Sequence, residues 1–204
     1  AAIEKMKIHV GIPIRPEAAE RLPDAHAIIE KIGPCIAQPK IDGFRLQIHV
    51  DKTKKNPLIR FFSRNLTDMS SMFPEFVAAC QALAVKSIIL DGEAIVYDPN
   101  THQFMSFQET VKRRRKHGID RMVSEFPLQL HVFDLLYLNG KSFLNKKQNE
   151  RRKELETILS ETDQTIRIIE ERHIATGGEL ENYFIREIAA GLEGIIAKRP
   201  DAPY

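Results

Sequence analysis

Six consecutive residues, Lys40-Ile41-Asp42-Gly43-Phe44-Arg45, set a primary amine and a guanidinium on either side of a turn dipeptide. A lysine attacks only as the free amine, a form that desolvation or a neighbouring cation favours, and Arg45 is a candidate for that cation. Asp42-Gly43 marks a tight turn, where glycine supplies backbone freedom. After it, Phe44, Leu46, Ile48 and Val50 alternate with Arg45, Gln47 and His49, the period-2 pattern of a half-buried strand with Arg45 on its polar face. The chemistry within reach is covalent catalysis by an amine nucleophile. Taken alone, the motif favours the plainer reading, an exposed lysine beside a turn.

The elements that must position these residues mix strands and amphipathic helices, without repeats or low-complexity tracts. Strands are predicted over 36–39, 44–51, 58–63, 88–97, 128–136, 166–171 and 194–198. Helices are predicted from a cap at Asp24 through Lys31, and over 74–83, 107–116, 147–159 and 179–190. Strands adjoining in sequence pair antiparallel, so the expected fold class is α+β with antiparallel sheets flanked by helices. Strict alternation would put Glu193 and Lys198 on opposite faces of the last strand, so Glu193 must sit at the strand mouth unless a bulge intervenes.

Composition bounds the function. A chain of 204 residues can bury one substantial core, and its 43% hydrophobic and 28% charged content is ordinary for a soluble protein. The net charge is only +2, so affinity for nucleic acid would have to come from local patches. Cys35 and Cys80 give no disulfide framework, and no apolar run has the length of a membrane span or a signal segment. These features predict an intracellular protein with no membrane partner. The densest basic run, Lys112-Arg113-Arg114-Arg115-Lys116-His117, fits phosphate contact or a solvated helix equally well. No histidine spacing suggests a zinc site.

Further segments follow in a fixed order: Leu90-Asp91-Gly92-Glu93, His131-Val132-Phe133-Asp134-Leu135-Leu136-Tyr137, and Glu193-Gly194-Ile195-Ile196-Ala197-Lys198. With the Lys40 motif they resemble the signature of the nucleotidyltransferase superfamily of ATP-dependent DNA ligases and mRNA capping enzymes. Phe62-Ser63-Arg64-Asn65, the continuation Leu138-Asn139-Gly140 and Lys198-Arg199-Pro200-Asp201-Ala202-Pro203-Tyr204 resemble the DNA ligase branch. The resemblance runs from about Gly11 to the last residue.

What the resemblance implies is a two-sheet adenylation core that uses ATP and Mg²⁺ (or Mn²⁺). Lys40 would attack the α-phosphate to form lysyl-AMP, and the AMP would then pass to the 5′-phosphate of nicked double-stranded DNA. Arg45 matches a nucleotide-contacting arginine, and Arg64 one at the nucleotide and nick phosphate. Glu93 matches the acidic residue near ribose and metal, leaving Asp91 as the structural member of its turn. Phe133 matches the ring that stacks on adenine, although a Phe in an apolar strand is ordinarily core. Glu193 suits a hard divalent cation, and Lys198 would contact phosphate. Two residues before the nucleophile the family usually carries Glu to read adenine; here it is Gln38, whose amide both donates and accepts.

The family continues past the position of Tyr204 into a further lysine motif and an OB-fold, and many members carry a helical DNA-binding region upstream. The expectation is therefore an adenylation domain over 1–204, C-terminally incomplete, with the DNA-binding and OB-fold domains absent and weak activity by itself, and monomeric. An RNA ligase or capping-type nucleotidyltransferase, or a silent nucleotide-binding module, are the alternatives.

Overall fold

The computed structural model describes residues 8–101, 103–114, 118–160 and 164–204. Two sheets carry the architecture. The larger has the order β3 (Leu58–Ser63), β2 (Phe44–Asp51), β4 (Ser87–Asp98), β6 (Leu128–Leu138) and β7 (Lys141–Ser142), with the short β5 (Gln103–Phe104) on β4 and β8 (Ile166–Ile168) on β6. The smaller has β1 (Cys35–Lys40) between β10 (Gly194–Lys198) and β9 (Arg172–Ile174). All pairings are antiparallel except β6 with β8, which run parallel.

One face of the large sheet forms the main core. Leu46, Ile48 and Val50 of β2 pack there with Phe61, Leu90, Leu130 and Leu135, and with Phe73, Phe76 and Cys80 at and on α2 (Pro74–Ala82). α5 (Gln148–Leu159) adds Leu155 and Leu159. One face of the small sheet, Cys35, Ala37, Ile174, Ile195 and Ala197, packs on α1 (Ala25–Ile32) and α6 (Gly177–Ala189). α1 starts where Asp24 accepts a hydrogen bond from the Ala27 amide, and α6 starts with a reciprocal cap between Thr176 and Glu179. The remaining faces of the two sheets, one from each, carry the polar positions of the motifs.

Several expectations need correction. The strand predicted over 166–171 ends at Ile168, as β8, because the chain then crosses to the other sheet, where β9 begins at Arg172. The helix predicted over 107–116 ends at Lys112, as α3 (Phe107–Lys112); Arg115, Lys116 and His117 lie outside the described residues. α4 (Ile119–Glu125), β5, β7 and β9 had not been anticipated. The polar face of β2 is not left to water, since Gln47 and His49 are buried. An N-terminal segment covers it: the Gly11 amide donates to His49 Nδ1 at 3.0 Å, the Ile14 amide to Gln47 Oε1 at 2.7 Å, and Gln47 Nε2 to the Ile14 carbonyl at 3.1 Å. Polar side chains here satisfy the backbone of an irregular strap, which the alternation pattern could not reveal.

Two cations of the basic run are already engaged. Arg113 is buried and pairs with Glu75, while Lys112 pairs with Glu109 and lies over the Phe126 ring. No helix among the described residues is long and apolar enough to cross a membrane.

Candidate active site

The cleft is built where β1 and β2 part. Gly43 is required there by a close approach, since a Cβ at that position would stand 2.3 Å from the Ala94 carbonyl oxygen of β4. Its role is proximity rather than the backbone freedom expected from the turn. Lys40 ends β1, opposite Gly194 in the β1–β10 register, and Gly194 takes φ +149°, a value that favours glycine. That turn sets Glu193 at the mouth of β10, as alternation required. Its amide donates to the Lys40 carbonyl at 3.2 Å, and its carboxylate pairs with Lys40 Nζ. Both side chains stay accessible, 40% and 44% exposed.

A bulge sets Asp134 on the same side of β6 as Phe133. Pairing passes from Gly92↔Val132 to Asp91↔Asp134, leaving Phe133 without a Cα partner. The extra residue leaves both Phe133 and Asp134 facing away from the core that holds Val132 and Leu135. Phe133 is therefore not a main-core residue. Its half-buried ring lies against Ile41, Ile95 and Ile169, with the Arg45 guanidinium 5.3 Å from the centroid and Lys198 Nζ 5.2 Å from it. A planar ring held between two cations is a seat for a flat, electron-rich group joined to phosphate.

Arg45 is held from three sides. Nη2 donates to Asp91 Oδ2 at 2.9 Å and to Tyr204 Oη at 3.2 Å, and Nη1 donates to the Glu17 carbonyl at 3.2 Å. Tyr204 itself donates to Asp91 Oδ2 at 2.6 Å. Burial first, then the Asp91 charge, raise the tyrosine's pKa, so its hydroxyl keeps the proton it donates. Asp91 is fully buried, and it lies inside β4 at the bulge, not in the turn expected at Asp91-Gly92.

Glu93 faces Arg45 directly across the β2–β4 pair. Burial pushes its carboxyl up to about 8, against the opposing charges of Arg45 and Lys40 and a hydrogen bond from Gly43. Lys198 is 21% exposed in its side chain, donates to the Phe133 carbonyl at 3.3 Å and lies 3.7 Å from Asp134 Oδ2. Burial lowers its pKa, with Asp134 opposing. Asp134 is in turn gripped by Arg151 of α5 at 2.6 and 3.1 Å, and Arg151 Nη1 also donates to the Lys146 and Ala202 carbonyls at 2.5 and 3.2 Å.

The structure thus brings Lys40, Arg45, Glu93, Phe133, Glu193 and Lys198 around one cleft, with Gln38 on the Lys40 face of β1. Arg64 stands apart, exposed in the turn after β3 and without an ion pair among the described residues. Sequence reasoning missed the supports: Tyr204, Asp134, Arg151, Gln148 and Glu171. Tyr204, Asp134 and Arg151 act at distances in sequence that no local pattern encodes.

No three His, Cys, Asp or Glu groups among the described residues gather as a metal cage. Two carboxylates, Glu93 and Glu193, at the Lys40 end do fit an ion such as Mg²⁺, which keeps several waters and takes one or two carboxylates plus substrate phosphates.

Residues 16–204 match the family described as ATP dependent DNA ligase domain. A probable DNA ligase of Dictyoglomus turgidum is 45% identical over 206 aligned residues, covering 100% of this chain and 34% of the relative. A DNA ligase of Sulfophobococcus zilligii is 39% identical over 96% of this chain and 32% of its own. The chain therefore spans about a third of the length of the curated relatives it matches. A mycobacterial DNA ligase D solved with ATP and MES is 30% identical, with a TM-score of 0.63 over 84% of this chain and 50% of that one. These relatives do not favour the RNA ligase or capping alternative. The chain belongs to the ATP dependent DNA ligase domain family.

Proposed function

We propose that this chain is the adenylation unit of an ATP-dependent DNA ligase, and that Lys40 is its nucleophile. The observation that carries the reading is the arrangement at the cleft: an accessible amine at its lip, a ring between two cations, and two carboxylates beside the amine. Adenine would stack on Phe133, Arg45 would contact ribose or phosphate oxygens, and Lys198 would neutralise phosphate charge. Lys40 Nζ, freed of its proton and of Glu193, would attack the α-phosphorus. The N–P bond forms as the bond to pyrophosphate breaks, leaving a phosphoramidate. The AMP would then pass to the 5′-phosphate of a nick in duplex DNA, where Arg64 is suited to contact phosphate, and the 3′-hydroxyl would displace it. Glu93 and Glu193 would hold Mg²⁺ or Mn²⁺, which supplies charge neutralisation at the phosphates when bound. The enzyme would work as a monomer inside the cell, where its DNA substrate lies.

The test is intact mass after incubation with ATP and Mg²⁺. Gain of one AMP, lost again on adding pyrophosphate and absent in Lys40→Ala, supports the reading. A covalent gain that persists in Lys40→Ala overturns it.

A further inference from the structure

Gln38 replaces an ionised acceptor with an ambiguous group, because an amide offers an oxygen acceptor at one end and an N–H donor at the other. The ambiguity matters at a purine pocket. Adenine presents an amino donor at its 6-position, whereas an oxo-purine presents an acceptor there. An amide free to turn over would serve both.

The amide in this chain is not free. Gln38 is 2% exposed, and its Nε2 donates to Glu171 Oε2 at 3.1 Å. Turned over, Gln38 Oε1 would face that carboxylate oxygen with no proton between them, a contact with nothing to offset its repulsion. Gln148 Nε2 approaches the same Glu171 oxygen at 3.5 Å, and Arg152 Nη1 holds it from another side, also at 3.5 Å. Both amides thus turn their NH2 ends to one anchored carboxylate and their carbonyl oxygens away from it. That of Gln148 is buried and unpartnered, and no described residue donates to that of Gln38.

Placement ties this to the nucleotide seat. Gln38 shares the face of β1 that carries Lys40, across from Ile196 of β10, and Ile169, two residues before Glu171, packs against Phe133. We infer that Glu171 is a specificity-determining positioning residue: by fixing the polarity of the Gln38 amide, it turns an acceptor toward the base and selects a 6-amino purine over a 6-oxo purine. The inference rests on the nucleotide seat proposed above.

The experiment compares calorimetric binding of ATP and of ITP, which differ at the 6-position, to three forms of the chain. The unaltered chain should prefer ATP by tenfold or more, on the order of one well-made hydrogen bond to a buried group. In Glu171→Gln the side chain at 171 can itself offer either end, so the Gln38 amide is released and the ratio should narrow at least threefold. The exchange variant Gln38→Glu with Glu171→Gln restores a fixed acceptor at 38 and should recover the preference. A merely structural role for Glu171 would weaken both nucleotides alike and would not be rescued by the exchange. An unchanged ATP:ITP ratio in folded Glu171→Gln overturns the inference while leaving the nucleotide seat standing. Failure of the unaltered chain to bind either nucleotide overturns both.

Discussion

The cleft contains two kinds of ion pair. At its lip, Lys40 and Glu193 meet with 40% and 44% of their side chains exposed, and neither has another ion-pair partner among the described residues. On its floor, Arg45–Asp91 and Arg151–Asp134 are 23% and 0% exposed, and 3% and 6% exposed, with every pair tied into further hydrogen bonds. An exposed pair gains little from Coulomb attraction and parts readily. A buried pair has already lost its water, so removing one member strands the other. The amine proposed to react is therefore on a loose tether, while the groups around the proposed nucleotide seat are locked. That division is what covalent nucleotidyl transfer needs, since the nucleophile must move onto phosphorus while its target is held still.

The largest effect should come from breaking the lip chemically. Lys40→Ala should abolish AMP labelling, and Lys40→Arg should fail as completely, because a guanidinium stays protonated. Circular dichroism and melting should show both variants folded; labelling of either one at the unaltered rate would remove Lys40 from the role. Breaking the floor should act on stability instead. Arg151→Ala strands the Asp134 carboxylate and releases the Lys146 and Ala202 carbonyls, for an expected loss of roughly 3–5 kcal/mol in urea unfolding. A loss below about 1 kcal/mol would show the floor to be no more locked than the lip.

How much of this was legible in the sequence differs between the same two regions. The lip was readable in part: Glu193 at the strand mouth follows from period-2 alternation, whereas Gly43 beside Lys40 serves a close approach to β4 that turn chemistry does not encode. The strands of the main core were readable for the same reason, apolar residues at every second position. The floor was not. Phe133 and Asp134 share one side of β6 because one extra residue shifts the β4–β6 register; alternation, which assumes none, would put one of the two in the core. Tyr204 reaches Asp91 across 113 positions, and Arg113 is buried although it sits in a run of cations that reads as surface. Burial of Gln47 and His49 depends on an irregular strap whose sequence has no period.

That strap sharpens the comparison through pH. His49 accepts from the Gly11 amide at Nδ1, so the proton of its neutral ring is on Nε2, pointing to Gln47. Burial lowers its pKa from 6.5 to about 4, and burial followed by the Arg167 charge does the same to His131. Folded values below the unfolded one mean that this stability is present above about pH 6.5 and is lost as pH falls toward 4. Each histidine should cost about 2 kcal/mol at pH 5 relative to pH 7. Urea midpoints measured across that range should fall, and His49→Gln, which keeps a donor and an acceptor but cannot titrate, should fall less. Equal acid sensitivity in the variant would take His49 out of the account.

The smallest stability effect belongs to the lip. Glu193→Gln removes one charge of an exposed pair, so it should shift folding stability by less than about 1 kcal/mol, a shift that shrinks further in high salt because exposed charges are screened. Chemistry should respond differently. If Glu193 is one of two carboxylates for the divalent ion, AMP labelling by Glu193→Gln should need several-fold more Mg²⁺ to reach half its maximal rate, since an amide oxygen is a poorer ligand for a hard cation than a carboxylate. The two readouts together separate lip from floor. A variant that melts like Arg151→Ala would mean that the Lys40–Glu193 pair is structural, and the loose tether would no longer explain why the nucleophile can leave its partner. A variant with the unaltered Mg²⁺ requirement would assign the metal to Glu93 without Glu193 and leave the lip carboxylate with the lysine alone.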